Sequence, residues 1–144
     1  MKKINLYSDG SSLGNPGPGG WGTILKYNGH VKELSGGNAM TTNNQMELTG
    51  VIEGLRVLKE PCEVEVISDS KYVVQAINEW LASWKKNGFK TAAKQPIKNY
   101  ELWQEYIKVS DIHTIKGTWV KGHAGHEENE RCDELARNEA EKLK

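Results

Sequence analysis

Four aspartates occur in the 144 residues: Asp9, Asp69, Asp111 and Asp133. Two of them close an apolar segment directly after a serine, in Ile4-Asn5-Leu6-Tyr7-Ser8-Asp9 and in Val64-Glu65-Val66-Ile67-Ser68-Asp69. Runs of this kind read as strands. Each Asp then stands at the carboxyl end of a strand, where open α/β sheets place their ligands. Glu47 falls in the first turn of an expected helix and Asp133 early in another. Four carboxylates on one site repel each other unless a cation neutralises them. An all-oxygen donor set favours a hard cation, Mg²⁺ or Mn²⁺. Two such ions about 3.5–4 Å apart clamp the attacking and leaving oxygens of a phosphodiester. Singly, each acid is equally a turn former or a solvated helix charge; two separate strands that both end in Ser-Asp point to a site.

His123 lies in Gly122-His123-Ala124-Gly125-His126, ten residues before Asp133. A histidine beside a metal cluster can shuttle protons to water or to a leaving oxygen. With His126 and Cys132 it matches no standard zinc spacing.

The elements that must hold these groups follow from periodicity and punctuation. Residues 4–7, 21–27 and 31–34 read as an antiparallel meander, with Ser8-Asp9-Gly10-Ser11 a turn, 14–22 a loop and Asn28-Gly29 a hairpin turn. Gly17-Pro18-Gly19-Gly20-Trp21-Gly22 fits a dinucleotide-binding pattern literally, but a strand follows it instead of a helix, so it reads as a tight turn. Residues 42–59 form a helix, opened by Thr42-x-x-Gln45 as a capping box and striped by Leu48, Val51, Ile52, Leu55 and Leu58. Gly50 and Gly54 on it imply close packing on the sheet. Strands at 63–67 and 114–120 and helices at 72–84, 99–108 and 127–143 complete the order. The expected fold class is α/β: a five-stranded mixed sheet, antiparallel meander then parallel strands, with helices on both faces.

Composition narrows the partners. Lys+Arg and Asp+Glu are 19 each, so the chain is neutral and is no basic coat protein. Residues 71–98 nevertheless hold six lysines against Glu79 alone, +5, leaving 13 basic and 18 acidic residues elsewhere, −5. Such segregation suggests a polyanion at one place and cations at another. Trp80 and Trp84, four residues apart beside Lys85 and Lys86, could stack on sugars or bases while the lysines meet phosphates; they could equally pack on the body of the domain. The length suits one domain, 1–144, with a basic protrusion at about 80–98. No apolar run long enough to span a membrane occurs, the N-terminus turns polar too early for a signal peptide, and the two cysteines suit a reducing cytoplasm.

Several motifs together resemble bacterial ribonuclease H of type 1. They are Tyr7-Ser8-Asp9-Gly10-Ser11, Gly14-Asn15-Pro16-Gly17, Thr41-Thr42-Asn43-Asn44-Gln45-Met46-Glu47-Leu48, Ser68-Asp69-Ser70, Val120-Lys121-Gly122-His123 and Asn129-Glu130-Arg131-Cys132-Asp133-Glu134-Leu135-Ala136. The resemblance covers nearly the whole chain in order, and 80–98 is similar to the basic handle of some members. It implies a Mg²⁺-dependent endonuclease that cuts the RNA strand of RNA–DNA hybrids; we expect a monomer, with Mn²⁺ a substitute for Mg²⁺. Asp9, Glu47, Asp69 and Asp133 would hold the metals, two with substrate bound. His123, supported by Glu130, would assist proton transfer or product release. Asn15, Thr42, Asn43, Asn44 and Gln75 would line the substrate path, Thr42 near a DNA-strand phosphate. Lys71 departs from the polar uncharged residue of some relatives. Two other readings remain: another nuclease or recombinase of this fold, and a catalytically dead hybrid-binding module.

Overall fold

Five strands form one sheet in the order β3-β2-β1-β4-β5. The computed structural model describes residues 1–91, 94–122 and 126–144. β1 (Lys2–Ser12), β2 (Gly17–Tyr27) and β3 (His30–Thr41) make the antiparallel meander. β4 (Cys62–Ser68) pairs parallel with β1, and β5 (Thr114–Trp119) parallel with β4. Asn28 and Gly29 take φ of 51° and 86°, as a two-residue primed hairpin turn requires.

The meander strands are longer than their composition suggests. The Gly17–Gly22 stretch, expected as loop and tight turn, is the first half of β2 and pairs on both sides. The reason lies in the helix above it, α5 (Glu127–Lys142). A Cβ at Gly20 would strike the Ala136 carbonyl, and one at Gly22 would lie 2.5 Å from the Cys132 carbonyl oxygen. Here glycine permits the close approach of another backbone rather than a turn. β1 likewise continues through Ser8-Asp9-Gly10-Ser11, expected as a turn. Asp9 is therefore not at the strand's end: it pairs with Gly22, although β1 has already left β4 after Tyr7.

Successive residues of a strand face opposite sides. Gly22 meets α5, whereas Thr23 donates its hydroxyl to the Gly50 carbonyl of α1 (Asn43–Arg56) at 2.7 Å. Helices thus cover both faces. The larger core includes Leu6, Leu48, Val51, Val64, Val66 and Trp103, all fully buried. The opposite face buries Ile24 with Cys132, Ala136 and Ala140 of α5. Close seating of α1 is confirmed: a Cβ at Gly54 would lie 2.8 Å from Leu6 Cδ1. Its capping box is bonded both ways, Gln45 N–H to Thr42 Oγ1 and Thr42 N–H to Gln45 Oε1, each 3.2 Å.

After β4, α2 (Lys71–Gln75) runs through a π-helical turn (Ala76–Trp80) into α3 (Leu81–Lys86). The π turn is absent from the sequence expectation because its composition is that of any α-helix. Gly88, at φ 72°, follows the end of α3, and α4 (Tyr100–Ser110) leads to β5. Among the described residues, no helix is long and apolar enough to cross a membrane.

Candidate active site

Three of the four expected carboxylates converge. Asp9, Glu47 and Asp69 each offer an oxygen, and these oxygens lie within 4.8 Å of one another. The register explains Asp9 and Asp69: β1 and β4 pair in parallel up to Tyr7 opposite Ile67, so both aspartates follow two residues beyond that pair. Glu47 is brought in by the docking of α1. Ser8 donates its hydroxyl to the Glu47 carbonyl at 3.1 Å. A Cβ at Gly10 would collide with the Glu47 amide, so only glycine there lets the helix start so near β1.

Burial dominates the electrostatics. Asp9 and Glu47 are 9% and 8% exposed. Desolvation pushes the Asp9 carboxyl up to about 6, with the charges of Asp69 and Asp133 adding to it against hydrogen bonds from Glu47 and the Gly10 amide. Glu47 is raised well above the ordinary glutamate range, first by burial and then by Asp9. Glu47 Oε2 is buried with no hydrogen-bond partner. Buried polar atoms are rarely left so. A hard divalent cation among three oxygen donors would satisfy that atom and relieve the repulsion, so the donor set fits one.

Asp133 stands beside this trio. Its charge reaches Asp9, but its carboxylate accepts from Arg137 Nε at 2.9 Å, one helical turn along α5. With Glu130, Glu134 and Arg137 it lines an open depression. Gly22 sets this distance, since it is paired with Asp9 and pressed against Cys132, the neighbour of Asp133. His123 lies outside the described residues.

Of the polar residues expected on a substrate path, Asn15 and Asn43 are joined by hydrogen bonds at the start of α1. Asn43 Oδ1 accepts from the Ser12 amide at 2.8 Å and the Ser12 hydroxyl at 3.0 Å. The Asn43 amide donates to Asn15 Oδ1 at 3.4 Å, tying the 12–17 segment to the start of α1. Thr42 is the cap, and Asn44 follows in the first turn, partly exposed. Gln45 is fully engaged in scaffolding. Beyond its capping bond, its Oε1 accepts from Thr41 Oγ1 at 3.0 Å and its Nε2 donates to Asn99 Oδ1 at 3.3 Å. Gln75 is exposed on α2, and Lys85 and Lys86 are exposed on the last turn of α3.

Trp80 and Trp84 are partly buried and join an aromatic cluster around the fully buried Trp103. Their ring centroids are 5.8 Å apart, and Trp84 lies 5.4 Å from Trp103. The packing role weighed for them is thus present.

Sequence reasoning missed Asn99 as anything but a helix start. At φ 60° it bridges Gln45 to Tyr72, donating to the Tyr72 hydroxyl at 3.1 Å, and so links the start of α1 to α2 and α4. An Asn immediately before a helical pattern was the available signal. Trp119 was also missed; its indole N–H donates to the Asp69 carbonyl at 3.0 Å.

Comparison with known proteins accords with this geometry. The RNase H family model matches residues 1–141. The Ribonuclease H of Sulfurovum sp. (strain NBC37-1) is 65% identical over 143 residues, 99% of this chain and 94% of that one. The Ribonuclease H of Campylobacter concisus (strain 13826) is 60% identical over 144 residues, 100% of this chain and 96% of that one. Among solved structures, LC9-RNase H1, a type 1 RNase H with the type 2 active-site motif, superposes with a TM-score of 0.88 at 32% identity, covering 100% of this chain and 74% of that one. LC11-RNase H1, solved in complex with an RNA/DNA hybrid, gives a TM-score of 0.70 at 26% identity, covering 96% and 97%.

Proposed function

The chain belongs to the ribonuclease H family, and on that premise we propose that it is a Mg²⁺-dependent endonuclease that hydrolyses the RNA strand of RNA–DNA hybrids. The observation that carries the chemistry is the convergence of Asp9, Glu47 and Asp69, with Glu47 Oε2 buried and unpartnered.

Asp9, Glu47 and Asp69 would hold the cation, with Asp133 joining once it exchanges Arg137 for it. Bound Mg²⁺, one ion or two with substrate present, supplies Lewis-acid activation of water and stabilises charge on the phosphate; Mn²⁺ substitutes for it. The protein's own contribution is arrangement. The Gly10 amide, bonded to Asp9 Oδ1 at 2.9 Å, and the buried hydroxyl of Ser8 fix two donors without side-chain freedom. Water adds to the scissile phosphorus and the bond to the leaving ribose oxygen breaks. His123 moves a proton at that stage or speeds product release, with Glu130 as its support.

Selection of RNA needs groups that read a sugar, because hybrids display 2′-hydroxyls in a wide, shallow minor groove. Asn15, Asn43, Asn44 and Gln75 are suited to that task, and Thr42 to a phosphate of the DNA strand. Lys85 and Lys86 add affinity without sequence preference. The exposed parts of Trp80 and Trp84 are available for sugar or base contact. We propose that it works as a monomer: Asp9, Glu47 and Asp69 come together within one chain, so the cluster needs no second copy. We place it in the cytoplasm, on two cysteines that are both buried and unbridged.

The test is one assay on labelled RNA–DNA hybrid, RNA–RNA and DNA–DNA duplexes, with Mg²⁺ or with EDTA. The expected result is cleavage of the RNA strand of the hybrid alone, lost in EDTA. Cleavage of duplex DNA would make it another nuclease of this fold, and hybrid binding without turnover would make it an inert binding module.

A further inference from the structure

Of the three clustered carboxylates, Asp69 is held differently. Asp9 lies within β1 and Glu47 is locked by the docking of α1, but Asp69 stands one residue past the end of β4 and is partly exposed. Its flanks are fastened. The Ser70 amide donates to Ser68 Oγ at 3.0 Å, and Ser70 Oγ caps α2 through the Val73 amide at 3.2 Å. The Val120 amide donates to the Ser68 carbonyl at 3.0 Å, carrying the β4–β5 ladder to its last rung. One residue further out, a side chain continues the pairing: the indole Nε1 of Trp119 donates to the Asp69 carbonyl at 3.0 Å.

Trp119 is 45% exposed, so burial does not account for its orientation. Lys71 Nζ lies 5.1 Å from its ring centroid. Lys71 occupies the first position of α2, where the helix dipole disfavours a cation. The face of an indole is a favourable partner for that charge. On the far side of Asp69, a Cβ at Gly122 would lie 2.6 Å from Asp69 Oδ2, so the segment leaving β5 follows Asp69 from its carbonyl to its carboxylate.

We infer that Trp119 is a positioning residue for Asp69, and that Lys71, by holding the indole plane, is the second half of the same brace. The inference rests on the reading of Asp69 as a cation ligand. The brace fixes the strand end that carries the least-packed donor, and it acts through the Asp69 backbone without touching cation or substrate.

The variants are W119F, which keeps an aromatic face and removes the N–H, K71Q and K71R. Mg²⁺ affinity is measured calorimetrically without substrate, and kcat and KM on the hybrid separately. Loss of a group that orients a metal ligand costs 10–100-fold in affinity or activity. For an exposed bond we expect the low end: W119F weakens Mg²⁺ about tenfold and lowers kcat with KM unchanged. K71Q is the sharper arm. Removing a cation from beside the site would tighten Mg²⁺ if charge alone mattered; the brace requires K71Q to weaken it and K71R to keep the parental value. Parental Mg²⁺ affinity and kcat in W119F, a rise confined to KM, or tighter Mg²⁺ in K71Q each overturns the inference. If the parent cuts no hybrid, the functional reading fails, while the substrate-free Mg²⁺ affinities still decide the brace.

Discussion

A buried carboxyl that waits for a cation destabilises the protein that carries it, and the sign can be worked out at Asp9. Its folded value is raised from 3.8 to about 6, so the cation-free folded state binds that proton more tightly than the unfolded chain. The stability associated with it is fully present below pH 3.8 and is lost as pH rises to about 6. Asp9→Asn removes the titration. In EDTA at pH 7.5 the variant should be more stable than the parent by up to about 3 kcal/mol, with the gap closing as pH falls towards 4. Urea unfolding at the two pH values measures this, and a gap independent of pH would contradict it. In Mg²⁺ the same variant should lose hybrid cleavage by several orders of magnitude. Asp9 and Asp69 were legible in the sequence because Ser-Asp closes two separate apolar runs, a pattern that strand geometry turns into proximity. The Asp133–Arg137 ion pair was not, since an acid and a base four apart on a helix look the same whether or not a metal site lies beside them. Trp119 was hidden for a similar reason: an exposed indole at the end of a strand announces no partner.

Gly20 shows how an element can be misread while the fold class is read correctly. The alternation of strands and helices, the capping box and the Asn-Gly hairpin are short-range signals, and each appeared where local chemistry put it. The glycines of β2 are a long-range signal. Their meaning depends on α5, more than a hundred residues later, packing backbone to backbone. Gly22→Ala should cost about 1–3 kcal/mol, as overpacking does, because the obstructing atom is a carbonyl oxygen and cannot rotate away. Since that carbonyl precedes Asp133, kcat should fall as well, measured under conditions where the variant remains folded. An equally stable variant with parental kcat would show that α5 tolerates the shift. In the tryptophan cluster, Trp84 meets Trp80 and Trp103 and is only partly buried. Trp84→Ala should cost about 3 kcal/mol, the low end for a core aromatic. A rise in KM without loss of stability would instead make substrate binding its main role.

Charge segregation along the chain falls on different elements of the fold. Lys85 and Lys86 end α3, Lys90 and Lys94 follow in the segment leading to α4, and all four are exposed. None of the ion pairs found among the described residues uses them, whereas Lys26, Arg56, Arg131 and Arg137 are each paired with an acid. Lysines that form no ion pair among the described residues are suited to phosphates, and these four belong to different elements from those that carry the carboxylates. Affinity and chemistry should therefore separate. Replacing Lys85, Lys86, Lys90 and Lys94 together by Ala should raise KM for the hybrid and leave kcat near the parental value. For every lysine–phosphate pair removed, the log–log salt dependence of binding should fall by about 0.9, a B-DNA figure applied to a hybrid. The total should be smaller than four such pairs would give, because one duplex need not engage every lysine of the segment. Binding measured across a salt series, with kcat at saturating hybrid, checks both halves. An unchanged slope with unchanged KM would remove these lysines from the substrate path, and a fall in kcat alone would mean that they help to place the scissile phosphate as well as to hold the duplex.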